Sequence, residues 1–444
     1  MRLASPRIAR LLMTLTLGLG AAACAKDPGG GGGTGGSGGG ATGGTGGAGG
    51  TDAGAMTDGG GSDSVYGPGC DPAASNMGLI NVPAPLISVG KMVTASAGVT
   101  NAANVVDGMY HGTPAAAFPT TVSAASPGWI AIQIVGGADA GTDGGTGPSR
   151  LMLAWTDGGY MPFNTLAAGA PAAYHVEVSG DTTDGSDGTW TTVADVPANT
   201  VGARAHTFDF TGKTWVRFTV TAVATDSTNA PIATRIDEIE VHDISASSSA
   251  RPADTWFFFG DSITQGAFQR DLNARFDTGI HADHPAYSPV MLNGGIAAEL
   301  SHDGLRHIQQ DGWLDPINPD FQHIAILFGT NDSWGDKDPA STDFEASMNA
   351  IVDAVLAAGR VPILGRIPFA SEMAGQATMH ATIPAFNAII DNITATKNLP
   401  CGPDFYAYFQ AHPEQLGPDG VHPAQTGYAA MNRLWTEAMT HLYP

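Results

Sequence analysis

Two apolar runs in the carboxyl-terminal half of the chain each end directly in a short polar motif, and this arrangement constrains the fold more than any other feature. The run 256–259 leads into Gly-Asp-Ser at 260–262, and the run 323–328 leads into Gly-Thr-Asn-Asp at 329–332. Short apolar runs bounded by Gly and Asp are typical of buried strands. The polar motifs would then lie at the carboxyl ends of strands, where open α/β sheets bind ligands.

Helical patterns alternate with these strands. A helix with one buried face is predicted by six apolar residues at helical spacing: Phe344, Met348, Ile351, Val352, Val355 and Leu356. Thr342 with Glu345 forms a capping box before this helix, and Gly359 suits its end. Further strands are predicted at 361–365 and 404–409. Alternating strands and helices imply a parallel sheet flanked by helices, in a domain that we place at residues 250–444.

A serine, a histidine and an aspartate in the motifs have the chemistry of acyl transfer. A serine hydroxyl is a weak nucleophile until a neighbouring base accepts its proton, and His422 is the candidate base for Ser262. The spacing Asp419-x-x-His422 lets the carboxylate reach the Nδ1 proton, which leaves Nε2 free for the serine. Because Pro423 suits the first turn of a helix, we expect His422 at the start of the terminal helix.

The four motifs at 260–264, 293–295, 329–332 and 419–422 resemble, in chain order, the four blocks of the SGNH (GDSL) hydrolase family. Members of this family use serine, glycine, asparagine and histidine from such blocks. The resemblance implies an α/β three-layer, flavodoxin-like SGNH hydrolase domain.

The same resemblance assigns roles to individual residues. It implies Ser262 as the nucleophile and His422 as the base, oriented by Asp419. Three oxyanion donors are implied: the backbone N–H groups of Ser262 and Gly295 and the side-chain amide of Asn331. Asn293 either belongs to its block or only caps a turn. The pattern requires no cofactor and no catalytic metal.

The amino terminus has the pattern of an export signal. Arginines precede an apolar stretch at 11–23 that is too short to span a bilayer, which predicts a signal peptide over 1–23. Small residues before Cys24 resemble a bacterial lipobox, which implies a lipid on Cys24 and an anchor in the cell envelope; simple secretion is the alternative. Residues 24–70 are predicted to be a lipid-anchored Gly-rich linker, since their Gly-rich part cannot bury enough apolar surface to fold.

Residues 71–246 have a different sequence pattern from the carboxyl-terminal domain. Short runs of alternating residues between turns predict an all-β sandwich, with strands at 129–135, 151–155, 174–178, 215–220 and 236–241. Aromatic residues in alternating strands usually face inward. We therefore expect a buried position for four tryptophans: Trp129, Trp155, Trp190 and Trp215.

The order of the segments 106–108, 174–179, 188–190, 216–218 and 238–241 resembles the discoidin, or coagulation factor type C, domains. This resemblance implies a galactose-binding-like jelly roll that binds glycans. It also implies a structural calcium ion near Asp107 and Glu238, for which the alternative is a pair of solvated strand ends.

The net charge indicates which partners the chain would repel, and the cysteines bear on the compartment in which it is found. A formal net charge of −23 disfavours nucleic acid and anionic bilayer surfaces, because both would be repelled. Besides Cys24 the chain has only Cys70 and Cys401. These two could form one disulfide in an oxidising compartment.

The sequence therefore predicts an exported, surface-anchored serine esterase. Its expected substrates are acyl esters, above all O-acetyl esters, of a carbohydrate polymer, or small esters. A lipase or arylesterase that acts on longer acyl chains is the nearest alternative. A surface adhesin, in which the sandwich binds glycans and the hydrolase fold is passive, is the alternative from another class.

Overall fold

The computed structural model describes residues 65–74, 78–110, 113–136, 147–157, 169–226, 228–249, 251–268, 275–314, 321–334, 344–371 and 377–444. They belong to one compact unit, Gly61–Pro444. The predicted signal peptide, Cys24 and most of the Gly-rich linker lie outside the described residues. Within the part of the chain described here, no helix is long and apolar enough to cross a membrane.

A five-stranded parallel sheet forms the centre of the carboxyl-terminal region, as predicted. Its strands are β10 (Thr255–Gly260), β11 (Val290–Gly295), β12 (His323–Leu327), β13 (Val361–Arg366) and β14 (Cys401–Asp404). They lie in the order β11-β10-β12-β13-β14 and all neighbours are parallel. This order corresponds to 2-1-3-4-5 in flavodoxin-like folds.

Helices cover both faces of this sheet. They are α1 (Ser262–Phe268), α2 (Phe276–Asp283), α3 (Ser301–Gln310), α4 (Phe344–Ala357), α5 (Ala377–Thr396), α6 (Phe405–Ala411) and α7 (Gln425–Met439). Because side chains alternate along a strand, Trp256 and Phe258 pack with α1, α2, α6 and α7. Phe257 and Phe259 point the other way and pack with α3, α4 and α5. The predicted three-layer α/β core is therefore confirmed.

The helix predicted from the apolar stripe is α4. Gly359 follows it with φ 69°, a left-handed conformation that glycine adopts without strain and that ends the helix. Thr342, the first residue of the predicted capping box, lies outside the described residues. The strand predicted at 404–409 is wrong, because Asp404 accepts a hydrogen bond from Ala407 N–H and so caps helix α6.

The amino-terminal region consists of two antiparallel sheets. The first contains β1 (Val93–Ala95), β3 (Gly128–Gln133), β8 (Trp215–Val223), β5 (Pro171–Ser179) and β6 (Thr191–Val196), in that order. The second contains β2 (Ala116–Ala117), β9 (Arg235–Asp243), β4 (Arg150–Asp157) and β7 (Ala203–Asp209). Their facing side chains form one apolar core. All five predicted strands are present, and the jelly-roll topology and the domain boundaries stay predictions.

The four tryptophans predicted to be buried take different positions. Trp155 is buried between the sheets, and Trp215 is buried beneath a surface loop. Trp129 and Trp190 are only half-buried, on the outer face of the five-stranded sheet, so the prediction is wrong for them. The Arg217 guanidinium carbon lies 5.7 Å from the Trp129 ring centroid and 4.1 Å from that of Trp190. A cation at this distance stabilises an aromatic ring in a position that is not buried.

The sandwich and the parallel sheet share an apolar interface. On β4, Leu151 and Leu153 face the sandwich core, whereas Met152 and Ala154 face the other way and join the core around Leu292 of β11. Small residues on β7 contribute to the same interface. Since β4 and β7 contribute side chains to the same buried cluster as β11, the sandwich packs against this edge strand.

A disulfide joins the first described segment of the chain to strand β14. Cys70 and Cys401 are bonded, with their Cα atoms 5.8 Å apart, which is the pairing that the sequence allowed. Next to it, Asp404 N–H donates to Val65 O, and the Tyr66 hydroxyl donates to Ala438 O at 3.0 Å. The last residues of the predicted linker, 65–70, are thus attached to β14 and α7 before the chain enters the sandwich.

Candidate active site

Ser262 lies at the carboxyl end of β10, where helix α1 begins. Gly260 precedes this turn because a Cβ there would come within 2.2 Å of Thr264 Oγ1 and 2.4 Å of Leu327 O. The chain turns to opposite sides of β10 to reach β11 and β12, and such a reversal opens a crevice at the carboxyl ends of the strands. Ser262 and Asn331, which follow β10 and β12, both lie at this crevice.

The structure brings Ser262, His422 and Asp419 together. Ser262 Oγ lies 2.8 Å from His422 Nε2, although 160 positions separate them in the sequence. His422 Nδ1 lies 2.6 Å from Asp419 Oδ2. The other carboxylate oxygen of Asp419 accepts from the N–H groups of Val421 and His422. The three side chains therefore form one continuous hydrogen-bonded chain.

His422 lies in a tight loop and not at a helix start, so that prediction is wrong. Helix α7 begins at Gln425, and Pro423 is extended and bridges to Leu416. The loop closes because Gly417 N–H donates to His422 O at 2.7 Å, and Gly420 turns the chain with φ 69°. Pro423 thus holds the histidine through an extended pairing.

Two carboxyl groups near Ser262 have opposite pKa shifts. Burial raises the pKa of Asp419, but hydrogen bonds from the His422 ring and the Val421 N–H outweigh burial and lower this pKa to about 2. Burial raises the pKa of Asp261 to about 7, despite the Ile263 N–H that donates to it. Asp419 is therefore ionised beside His422 at neutral pH, and an ionised partner stabilises an imidazolium.

Asn331 is buried behind the serine turn. Its Nδ2 atom donates to Glu299 O at 3.0 Å and lies 3.4 Å from Asp261 Oδ2. The first contact fixes the plane of the amide, and the second is long and weak. The amide is thus held beside Asp261, the residue before Ser262, with one N–H in a strong bond.

Gly295 lies at the end of β11, level with Gly260 in the adjacent strand. It must be glycine because a Cβ would come within 2.2 Å of Gln265 N in helix α1. Its N–H donates to Asn293 Oδ1 at 2.9 Å, so Asn293 caps this turn. Three residues later Ala298 has φ 65°, and its N–H has no acceptor among the described residues.

A second histidine, which the sequence analysis did not identify, lies in helix α3. His307 is fully buried, with Nδ1 2.7 Å from Asp311 Oδ2 and Nε2 2.7 Å from Glu299 Oε1. Its ring stacks on Trp313 with centroids 4.4 Å apart. The i, i+4 spacing of His307 and Asp311 was a visible signal, but Glu299 belongs to the preceding loop.

The residues near the predicted calcium site in the sandwich lie close together. Asp107 accepts from Met109 N–H and from the Thr113 hydroxyl, and Glu238 accepts from Gly108 N–H. The other oxygen of Glu238 is buried and has no hydrogen-bond partner. A buried carboxylate oxygen without a donor fits a cation. No three His, Cys, Asp or Glu side chains of the described chain are arranged to hold a metal ion.

Comparison with known families agrees with the site. The GDSL-like Lipase/Acylhydrolase family matches residues 258–430, a range that contains Ser262, Asn331, Asp419 and His422. The chain therefore contains a GDSL-type acylhydrolase domain. It is a carboxylic ester hydrolase. No curated protein matches the chain significantly.

Solved structures similar to this chain are distant in sequence. A lipase/acylhydrolase from Enterococcus faecalis is 23% identical, with 42% of this chain and 95% of that chain covered and a TM-score of 0.35. A variant acetyl xylan esterase from Geobacillus stearothermophilus is 22% identical, with 44% and 97% covered and a TM-score of 0.37. A chitosan-binding module from a Paenibacillus chitosanase/glucanase is 23% identical, with 35% and 98% covered and a TM-score of 0.25.

Proposed function

We propose that the protein hydrolyses esters through a covalent acyl-enzyme on Ser262, with His422 as general base and Asp419 as its orienting carboxylate. The observation that carries this proposal is the unbroken contact from Ser262 Oγ through both ring nitrogens of His422 to Asp419. A nucleophile bonded to a base that is itself oriented by a third group is the arrangement that activates serine.

The reaction has two steps. His422 Nε2 takes the proton of Ser262 as Oγ attacks the ester carbonyl, and the same proton passes to the leaving alcohol when the C–O bond breaks. Water then enters, gives a proton to His422, and attacks the acyl-enzyme. The proton returns to Ser262 Oγ as the carboxylic acid leaves, so the enzyme is regenerated.

The proposed oxyanion donors come from three segments of the chain. Ser262 is the first residue of α1, and an N–H in the first turn has no partner within the helix. The Asn331 amide and the Gly295 N–H are the other two proposed donors. The Gly295 N–H would have to leave the Asn293 side chain before it could donate to the oxyanion. The Ala298 N–H in the same loop has no acceptor among the described residues.

Substitution of the nucleophile tests this proposal. Ser262→Ala should reduce hydrolysis of p-nitrophenyl acetate by at least about 10⁴-fold, because it removes the attacking atom. Ser333→Ala, a buried serine on the neighbouring motif that bonds only backbone, is the matched control. Equal activity of Ser262→Ala and wild type would refute the proposal. A series of acyl lengths separates the esterase from the alternative, because a lipase or arylesterase would prefer the longer esters.

The preferred substrate is an acylated, above all O-acetylated, polysaccharide that the sandwich binds. The outer sheet face supports this: Trp129 and Trp190 lie on either side of Arg217, and Glu177 accepts from Arg217 Nε and from the Thr219 hydroxyl. Aromatic rings pack against the apolar faces of sugars, while guanidinium and carboxylate groups bond their hydroxyls. Such a surface suits a neutral glycan.

Comparing the kinetics on a polymer with those on a small ester shows whether this face binds substrate or affects the chemical step. Trp190→Ala should raise KM for an acetylated polysaccharide about three- to tenfold, which is the loss of one aromatic contact, and leave p-nitrophenyl acetate hydrolysis unchanged. Acetate release should be compared across acetylated xylan, mannan, pectin and peptidoglycan. Unchanged KM for every polymer would refute binding at this face.

The adhesin alternative is tested by the same serine variant. An adhesin with Ser262→Ala would keep its attachment to glycan-coated surfaces and lose no function. An esterase with this substitution would still bind glycans but release no acetate.

Anchoring at the cell envelope through a lipid on Cys24 also remains a proposal. Cys24→Ser should move the protein from the membrane fraction to the soluble exported fraction and abolish incorporation of labelled fatty acid. Unchanged fractionation would favour simple secretion.

A calcium ion in the sandwich is proposed as a structural element only. Asp107, Thr113 and Glu238 would supply oxygen atoms, which calcium prefers. Calcium should raise the melting temperature of the wild type and should not raise that of Glu238→Gln.

A further inference from the structure

His307 lies in helix α3 with both of its ring nitrogens in polar contacts. Nδ1 lies 2.7 Å from a carboxylate oxygen of Asp311, and Nε2 lies 2.7 Å from one of Glu299. Arg306 Nη2 also lies 3.4 Å from Nε2. The ring stacks on Trp313 with centroids 4.4 Å apart, so its orientation is fixed from the edge and from the face.

His307 is the buried contact of the Glu299 carboxylate. Arg306 contacts both carboxylates, 3.1 Å from Asp311 Oδ2 and 3.9 Å from Glu299 Oε1, but it is itself partly exposed. His307, in contrast, is 1% exposed, and the second oxygen of Glu299 is buried without a partner. The His307 ring therefore holds the Glu299 side chain in place.

Glu299 connects this cluster to the oxyanion site. Its backbone oxygen accepts the 3.0 Å bond from Asn331 Nδ2, and it directly follows Ala298 in the loop between β11 and α3. A side chain fixed at Glu299 thus fixes the acceptor that orients the Asn331 amide. A displacement of about 1 Å in such a group can cost on the order of 10²-fold in rate.

We propose that His307 is a positioning residue of the oxyanion site, acting on Asn331 through Glu299. This inference rests on the proposed function of Ser262 and His422. It differs from a purely structural role because the effect must pass through the Asn331 amide.

A double-mutant cycle tests this route with p-nitrophenyl acetate. In the wild-type background, His307→Gln should lower kcat roughly 10- to 100-fold with KM changed less than about twofold, because the substrate contacts are kept and the oxyanion donor is misplaced. In an Asn331→Ala background, the same change should cost less than about threefold, since coupled residues are non-additive. The control His302→Gln, on the exposed side of α3, should leave kcat unchanged.

A milder variant covers the case in which His307→Gln does not fold. Asp311→Asn lies at the end of α3, is partly exposed and keeps the side-chain volume. It should lower kcat about three- to tenfold in the wild type and not in Asn331→Ala.

The outcomes separate the two hypotheses. Equal losses in both backgrounds, or no loss in the wild type, would overturn the role of His307 and leave the esterase proposal intact. Full activity of Ser262→Ala would overturn the esterase proposal and the positioning role with it.

Discussion

The region around Ser262 contains two histidine–carboxylate groups whose surroundings differ. His422 and Asp419 have side chains 37% and 46% exposed, and one ring nitrogen faces the serine. His307 is 1% exposed, and both of its nitrogens face carboxylates. A histidine that must accept and release a proton needs one nitrogen without a permanent acceptor. The contrast teaches that the partners of the two ring nitrogens separate a proton carrier from a histidine that only holds its neighbours in place.

The largest expected effect comes from removing the proton carrier. His422→Gln should lower kcat for p-nitrophenyl acetate by about 10⁴-fold or more, because it removes the base that Ser262 Oγ contacts. This loss should exceed that of His307→Gln at least tenfold. Equal losses in steady-state assays of the two variants would break the comparison.

The carboxylate partner of His422 sharpens the comparison. Asp419→Asn should cost about 10²- to 10⁴-fold in kcat, because the amide favours the wrong tautomer of the imidazole while water can replace part of the interaction. Since the Asp419 pKa is lowered to about 2, Asp419 stays ionised throughout an assay between pH 4 and pH 9 in the wild type. A pH–rate profile whose acid limb followed Asp419 would contradict this.

Removing the disulfide should lower the stability of the fold without changing the chemistry at Ser262. Replacing Cys70 and Cys401 with serine should lower the free energy of unfolding by about 2–4 kcal/mol, since the bond closes a loop of 331 positions. Because the bond lies next to β14 and not at the crevice, kcat should stay within about twofold of the wild type. Denaturant unfolding of oxidised and variant protein measures the first quantity; a large loss of kcat at full folding would refute the second.

A carboxylate of the sandwich has a large pKa shift of its own. Glu238 is 1% exposed, and burial together with Glu240 raises the Glu238 pKa to about 9. The fold therefore favours the protonated form. Its stabilising contribution is complete below about pH 4.5 and is lost as the pH rises through about 9.

This gives the smallest expected effect. Wild type should lose stability relative to Glu238→Gln between pH 5 and pH 9 in metal-free buffer, because glutamine stays neutral. Thermal melts across this range measure the difference. A difference that does not change with pH would contradict the assignment.

The sequence predicted the parallel sheet and the position of Ser262 because apolar runs and Gly-Asp-Ser are local signals. It failed at 404–409, where the capping contact of Asp404 turned an apolar segment into helix α6. It also failed at Pro423, since a pairing with Leu416 overrides the local preference for a helix start.

Contacts between segments that are distant in the sequence could not be predicted from local sequence patterns. The Asn293 side chain occupies the Gly295 N–H, and Glu299 reaches His307 across eight positions, which no motif spacing indicates. Trp129 and Trp190 looked like core residues because strand alternation alone does not show which face is covered. Their shared cation, Arg217, is visible only in three dimensions.

The most direct test of the central claim is to trap the acyl group during turnover. Rapid acid quench with a p-nitrophenyl ester, followed by peptide mass spectrometry, should find the added acyl mass on Ser262 in the wild type and nowhere in Ser262→Ala. An acyl group on another residue, or turnover that continues in Ser262→Ala, would contradict the account.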